Sequence, residues 1–596
     1  MENAKLTALR AEMQKRGIGA YVVPTADFHA SEYVGEYFKA RAWLTGFTGS
    51  AGTAVVTADK AGLWTDGRYF IQAAAQLAGT GFTLYRMGEE GVPEIPEFLK
   101  EELPEGTKIG FDARVVGCAG AEEYKKITKD KGGTLSVEED LIDLIWEDRP
   151  VLPASKVWIL PDAYSGETAG SKIARIREKM AEKNADWHFV SSLYDIAWIL
   201  NLRGDDIENV PVFLSNLLIA PADVFLFIQA EALTDEVRAY LRRIGVEVRP
   251  YENTYRAAAG IPAGARLLID KEQVNYRFLC ALAQGVEVIG GDNPSEGMKA
   301  IKNETELANT RKAHLKDGVA CTKFMYWLKT NVGKIPMDEY TVGLYLDHLR
   351  AKQENFLDLS FTDICAYGPN AAMMHYAAEK ETAAELKPEG MLLVDSGGHY
   401  LEGTTDITRT YILGPISQQM KKHYTTVLRC NMALANLKFL YGCGGLNMDV
   451  LCRAPLWELG INYNCGTGHG VGHILNVHEG PNGFRWKVVP ERRDSGRFEE
   501  GMITTDEPGV YLEGEYGIRI ENELICVKGE KNEYGQFMEF ENITYCPIDL
   551  DGIDPEELSA REKKQINDYH KMVYEKISPF LTPEENEWLK VYTREI

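Results

Sequence analysis

The sequence predicts a multidomain protein of mixed α/β and α+β class, and three observations carry that expectation. Its 596 residues exceed what one hydrophobic core supports. A helix–strand grammar runs twice through the first half, the pattern of α/β layers. The texture then changes to long helices followed by glycine-punctuated strands that hold most of the noteworthy polar residues. The composition, 45% hydrophobic and 26% charged, is that of a folded chain with apolar matter to bury. With 65 basic and 89 acidic side chains the formal charge is −24, which repels nucleic acid and anionic lipid, so neither is expected as a partner.

The first unit opens with a helix from Leu6 to Arg16, the apolar strand AYVVPT, a helical stretch to Phe38, the aromatic segment WLTGFTGSAG and the strand TAVVTA. A second pass begins near Lys172 with the helix KIARIREKMAEKNAD and the strand HFVSS, then DIAWILNLRG, PVFLSNLLIA and DVFLFIQA. WLTGF and WILNLRG stand at the same stage of the two units, which suggests a duplicated domain. The proline-bearing stretch RPVLPASKVWILPDAYSGETAG between them reads as a linker. Helices are expected over Glu304–Thr330 and Tyr340–Lys352, then strands to about Pro547, then a charged helical tail that is either a packing extension or a solvated face. The N-terminus carries charges throughout and lacks an apolar signal core. Apolar runs stop short of the roughly 20 residues a membrane span needs, so no membrane partner is expected. Ten scattered cysteines without a CxxC pair fit a reducing cytoplasm.

The third segment concentrates the chemistry. Asp395 ends the strand GMLLVD, and Asp406 is placed inside the next strand, TTDITRTYI, with SGGHYLEGT turning between them. Either aspartate alone reads as a turn cap. The pair suggests convergence, because Asp inside a strand is disfavoured without a partner. The glycine-rich GTGHGVGHILNVHEGP carries His469 and His478, and Glu507 precedes a Pro-Gly turn in TTDEPGVY. Glu521 is read as inside the strand GIRIENELICV, where a regular pleat would put Arg519, Glu521 and Glu523 on one face, either solvated or part of a charged site. Four carboxylates gathered in an interior are tolerable when two divalent cations neutralise them. Oxygen-rich ligation with one imidazole suits Mn²⁺, and two ions about 3.5–4 Å apart can activate water and polarise an amide carbonyl.

Five ordered strings, GPNAAMMHY, DSGGHYLEGTTDITRT, GTGHGVGHILNVHEGP, TTDEPGVY and GIRIENE, resemble the Xaa-Pro aminopeptidases of the creatinase and methionine aminopeptidase superfamily, and WILNLRGDDIENVPVF extends the resemblance into the N-terminal part. The resemblance implies two creatinase-like α/β domains at 1–155 and 156–300, a "pita-bread" catalytic domain at 301–548 and a helical C-terminal extension at 549–596. It also implies a dinuclear site, most consistent with Mn²⁺. Asp395 would hold one ion, His469 and Glu507 the other, and Asp406 and Glu521 would bridge them. Glu507 would shuttle a proton, His375 and His478 would bond the substrate, and Arg519 would orient a bridging carboxylate. The implied reaction is release of the N-terminal residue from peptides with proline in second position, by attack of a metal-bridging hydroxide, in a cytoplasmic homodimer. A prolidase and a non-catalytic peptide-binding module on the same fold are the alternatives. Where the family often carries HGTGHGVG, this chain has Cys465 in the first position, and His399 and His473 are extra imidazoles expected to be bystanders.

Overall fold

A computed structural model describes residues 3–489 and 492–596. The chain divides into two compact units, one comprising residues up to 160 together with 167–295, the other 161–166 together with 296–596.

The first unit holds two six-stranded sheets. Across the first, the order is Thr83–Arg86, Ala61–Thr65, Thr53–Thr57, Ile18–Pro24, Lys108–Gly110, Thr134–Ser136. Across the second, it is Val246–Pro250, Val224–Ile228, Ser215–Ile219, Trp187–Val190, Arg266–Ile269, Glu287–Gly290. Both run parallel, antiparallel, antiparallel, parallel, parallel along that order. The two sheets therefore share one topology, as a duplicated domain should. Trp43 and Trp198 lie on the helices Ala40–Thr45 and Leu193–Leu200, which occupy the same connection in the two halves. Both helices end on a left-handed residue, Gly46 (φ 79°) and Asn201 (φ 50°), the two residue types that best tolerate that conformation.

The helical stretch expected up to Phe38 is not helical; only Glu36–Phe38 forms a short 3₁₀ turn there. The Asp27 carboxylate accepts the N–H groups of His29 (2.8 Å) and Ser31 (2.9 Å), so a side chain takes the donors a helix would use.

In the second unit the helix Glu304–Asn331 starts at a reciprocal cap, in which the Asn303 side chain accepts the Glu306 N–H (3.0 Å) and Glu306 accepts the Asn303 N–H (2.9 Å). It packs with the helix Glu339–Ala351, and a second helix pair is Gln418–Ala435 with Gly445–Trp457. Packed against these helices are strands of a three-stranded sheet, Ile364–Tyr367, Met391–Ser396, Ile407–Ile412, and of a six-stranded sheet that includes Gly468–Gly470, Ile503–Asp506 and Asn522–Asn532. The tail forms helices Ala560–Ile577 and Pro583–Tyr592. Ile566, His570, Val573, Ile577 and Leu589 on them are buried, so this segment packs into the unit.

Candidate metal centre

Two expected placements are corrected. Asp406 lies one residue before the strand Ile407–Ile412, and Glu521 lies in the break between the strands Tyr516–Arg519 and Asn522–Asn532. Both therefore stand where the ladder is interrupted, which frees the backbone to aim the carboxylates inward. The three-residue charged face is not solvated: Arg519, Glu521 and Glu523 are 3%, 1% and 0% exposed.

Asp395, Glu521 and Glu523 are each held by a specific donor. Asp395 faces Thr408 across the ladder and its Oδ2 accepts from Arg519 Nη2, while Arg519 also donates to Thr408 Oγ1 (3.1 Å) and Tyr511 Oη (2.7 Å). Thr408 Oγ1 donates in turn to Glu521 Oε2 at 2.7 Å. The N–H of Asp406 donates to Glu523 Oε1 at 2.7 Å, and Glu523 Oε2 pairs with the wholly buried His314 at 3.1 Å. His469 Nε2 lies 3.4 Å from Asp406 Oδ2 and 3.6 Å from Glu507 Oε1, with its Nδ1 2.9 Å from the carbonyl of Gly470. A ring nitrogen turned to a carbonyl fixes the tautomer that leaves Nε2 as the electron-pair donor.

Asp406, His469 and Glu521 offer ligand atoms that all lie within 4.8 Å of one another. Asp395 Oδ1 is buried and has no hydrogen-bond partner among the described residues. Burial, then the charges of Asp395, Glu507 and Glu523, raise Asp406 well above the usual carboxylate range. Burial, then Asp406, Asp395 and Glu507, do the same for Glu521. Glu507 is raised chiefly by burial, against the lowering effect of His469 and Arg519. A converging set of carboxylates with one imidazole and an orphaned oxygen fits divalent cations, and without them the acids must keep protons to stay buried. The cluster opens on one side, where Glu507 keeps 21% and His469 15% of side-chain exposure.

The two other expected histidines are half-buried. The His478 ring stands at 87° to that of His469 with centroids 4.2 Å apart, beside the cluster. His375 follows the short 3₁₀ turn Gly368–Ala372, and that loop is pressed on the strand Tyr516–Arg519, since a Cβ on Gly517 would lie 1.8 Å from the Ala371 carbonyl. A residue the sequence did not single out secures this loop. Glu339, fully buried at the start of its helix, accepts from the Tyr367 N–H (2.6 Å), Asn370 Nδ2 (3.0 Å), Tyr376 Oη (2.8 Å) and the Ala384 N–H (2.8 Å). Its only sequence signal is an acid in a helix's first turn, which also reads as an ordinary dipole partner. Asp506 is a further buried acid that was not anticipated; burial raises it well above its ordinary range.

His399 and His473 engage structural partners. His399 Nδ1 lies 3.0 Å from Thr404 Oγ1, and His473 contacts Thr310 Oγ1 (3.3 Å) and the Tyr164 carbonyl (3.2 Å). Cys465 is half-buried, and burial followed by Glu507 pushes its thiol up to about 11, so it stays protonated near neutral pH.

Comparison with known proteins agrees along the whole chain. Residues 5–144 and 148–306 each match the creatinase/prolidase N-terminal domain, 308–528 match metallopeptidase family M24, and 536–596 match the C-terminal region of peptidase M24. A Paracoccidioides brasiliensis protein named "Probable Xaa-Pro aminopeptidase P" is 37% identical, with 99% of each chain covered. A protein of the same name from Pyricularia oryzae is 38% identical over 97% of this chain and 96% of its own. The crystal structure of X-prolyl aminopeptidase from Caenorhabditis elegans, described as a cytosolic enzyme with a di-nuclear active site, superposes with a TM-score of 0.94 at 32% identity, covering 99% of both chains. The chain thus belongs to metallopeptidase family M24, among the Xaa-Pro aminopeptidases.

Proposed function

We propose that the protein releases the N-terminal residue from peptides with proline in second position, using two divalent cations held by Asp395, Asp406, His469, Glu507 and Glu521. The observation that carries this is the meeting of His469 Nε2 with Asp406 Oδ2 at 3.4 Å and Glu507 Oε1 at 3.6 Å, beside the buried acids Asp395 and Glu521. Four carboxylates and one imidazole favour Mn²⁺ as the bound ion. Bound there, two such cations supply charge neutralisation, Lewis acidity toward the scissile carbonyl and a nucleophile at neutral pH.

The chain's own groups do the rest. Glu507, partly open to solvent, takes the proton from the attacking water and returns it to the leaving nitrogen. His478, beside His469, and His375 donate to the substrate's carbonyl and amide. Arg519 and Thr408 keep Asp395 and Glu521 aimed inward, so that the acids do not relax apart when the cluster's charge changes.

We take 1–155, 156–300, 301–548 and 549–596 as working boundaries; the first sheet, the second sheet, the catalytic strands and the last two helices fall inside them in turn. A cytoplasmic setting agrees with ten free cysteines, and no described helix is long and apolar enough to cross a membrane. A homodimer would cover the apolar side of Gly445–Trp457, where Leu446, Val450, Leu451 and Trp457 are exposed beside Trp486. Leu451→Glu is expected to shift a dimer to monomer in sedimentation velocity; a variant that stays dimeric removes this face from the interface.

The decisive assay compares Xaa-Pro-Yaa with Xaa-Pro on metal-stripped protein, before and after adding Mn²⁺. Restored cleavage of the tripeptide is expected. Cleavage of the dipeptide alone points to a prolidase, and no cleavage of either, with no ions bound, to a binding module.

A further inference from the structure

The hairpin that joins Asp395 to Asp406 is held from behind by a second polar network. Asp317, on the helix Glu304–Asn331, and Arg350, on Glu339–Ala351, are both fully buried, and Arg350 Nε donates to Asp317 Oδ1 at 2.7 Å. A buried ion pair of this kind adds little over apolar side chains of equal volume, because desolvation of both charges offsets their attraction. Arg350 also contacts Cys321 Sγ (3.5 Å) and Asp363 (3.7 Å), and three further hydrogen bonds of the pair go to the hairpin. Arg350 Nη2 donates to Ser396 Oγ (3.0 Å), Thr405 Oγ1 donates to Asp317 Oδ2 (2.9 Å), and Tyr400 Oη donates to Asp317 Oδ1 (2.9 Å).

Ser396 follows Asp395 and Thr405 precedes Asp406 in the chain. Asp395 and Ser396 lie in one strand, where successive side chains point to opposite faces, and the Thr405 hydroxyl beside Asp406 turns to Asp317, so the pair grips the neighbours of two residues of the cluster. The grip is tight: Ser360 Oγ donates to the Thr405 carbonyl (2.8 Å), the Ser360 N–H donates to the Gly397 carbonyl (3.1 Å), and a Cβ on Gly397 would lie 1.9 Å from the Thr405 carbonyl oxygen.

We infer that Asp317 and Arg350 are positioning residues for the metal centre, fixing the separation of Asp395 and Asp406 through Ser396 and Thr405. The inference rests on those two aspartates holding the cations. Two ions about 3.5–4 Å apart leave little tolerance in ligand spacing. A rigid link behind the hairpin holds that spacing, so the ligands need not be drawn together at each binding event.

The test is a chelator-competition titration of Mn²⁺ on stripped full-length protein, with the electron paramagnetic resonance spectrum of the loaded form recorded alongside. Thr405→Val, which keeps the shape and removes the hydroxyl, is expected to weaken at least one ion about 10–100-fold and to alter the coupled-ion spectrum. Thr405→Ser, which keeps the hydroxyl, should stay within about threefold of the wild type on the same scale. Asp317→Asn should weaken binding at least as much as Thr405→Val, and the double variant should lose less than the sum of the two single losses, since the Asp317–Thr405 bond is common to both. If Thr405→Val binds two ions with wild-type affinity and spectrum, or if the two losses simply add, the inference is overturned. If Asp317→Asn does not fold, the Val and Ser variants decide alone. A wild-type protein that binds no ions instead overturns the metal reading beneath it.

Discussion

Replacing Asp406 by Asn is expected to lower turnover of a proline-second tripeptide by about 10³-fold or more, and at the same time to stabilise the metal-free protein. With Asp406 as the proposed ligand, the loss follows from weakening a centre whose Lewis acidity is worth several kcal/mol, at about 1.4 kcal/mol per factor of ten. The gain follows from the environment. Asp406 is 4% exposed, and its charged form is opposed first by burial and then by Asp395, Glu507 and Glu523. An amide of the same shape removes one member of that repulsion. Steady-state kinetics at saturating Mn²⁺, metal analysis and thermal unfolding of the stripped protein at pH 7 check the three parts. A variant with full activity and two bound ions would remove Asp406 from the site.

The second large effect is on pH dependence. Asp406, Glu507 and Glu521 all have pKa values raised in the folded protein, each chiefly by burial. A carboxyl whose folded pKa lies above its unfolded value of about 4 contributes stability that is complete below pH ~4 and is lost as pH rises through the folded value. Metal-free protein should therefore lose stability as pH rises from 5 toward 8 through these groups. Cations compete with the same protons, so their stabilising effect should grow over that interval. At a free metal concentration of about 100 times Kd, one site contributes about 2.7 kcal/mol, or roughly 4 °C in Tm for a unit of roughly 300 residues at about 2.1 cal/mol/K of unfolding entropy per residue. Calorimetry at pH 5 to 8, with and without Mn²⁺, reads this directly. A metal-induced shift that shrinks as pH rises contradicts the assignment of protons to the cluster.

The metal-ligand candidates were legible because each lies in a short string that departs from ordinary patterning: an Asp at a strand end, a His among glycines, a Glu before Pro-Gly, a Glu amid β-branched residues. Their support was not. Asp317 sits in a helix whose apolar spacing hides it, and its partners Arg350, Tyr400 and Thr405 are 33, 83 and 88 positions away. Glu339 looks like a helix-start acid, yet it holds the loop that carries His375. The expected regular pleat through Arg519, Glu521 and Glu523 failed because the ladder breaks at Ile520 and Glu521, and this break lets Glu521 accept from Thr408 while Glu523 accepts from the Asp406 N–H.

The sequence by itself determined the repeated α/β grammar, the acidic charge that disfavours nucleic acid, and the donor types available to a cation. Tertiary structure alone decided that the strand-break acids turn inward, that His469 meets Asp406 and Glu507, and that buried Asp317, Arg350 and Glu339 brace the loops around them. The reason is physical: side-chain chemistry is a local property of the chain, whereas the desolvation and mutual repulsion that make a group of carboxylates bind cations arise only when distant segments pack together.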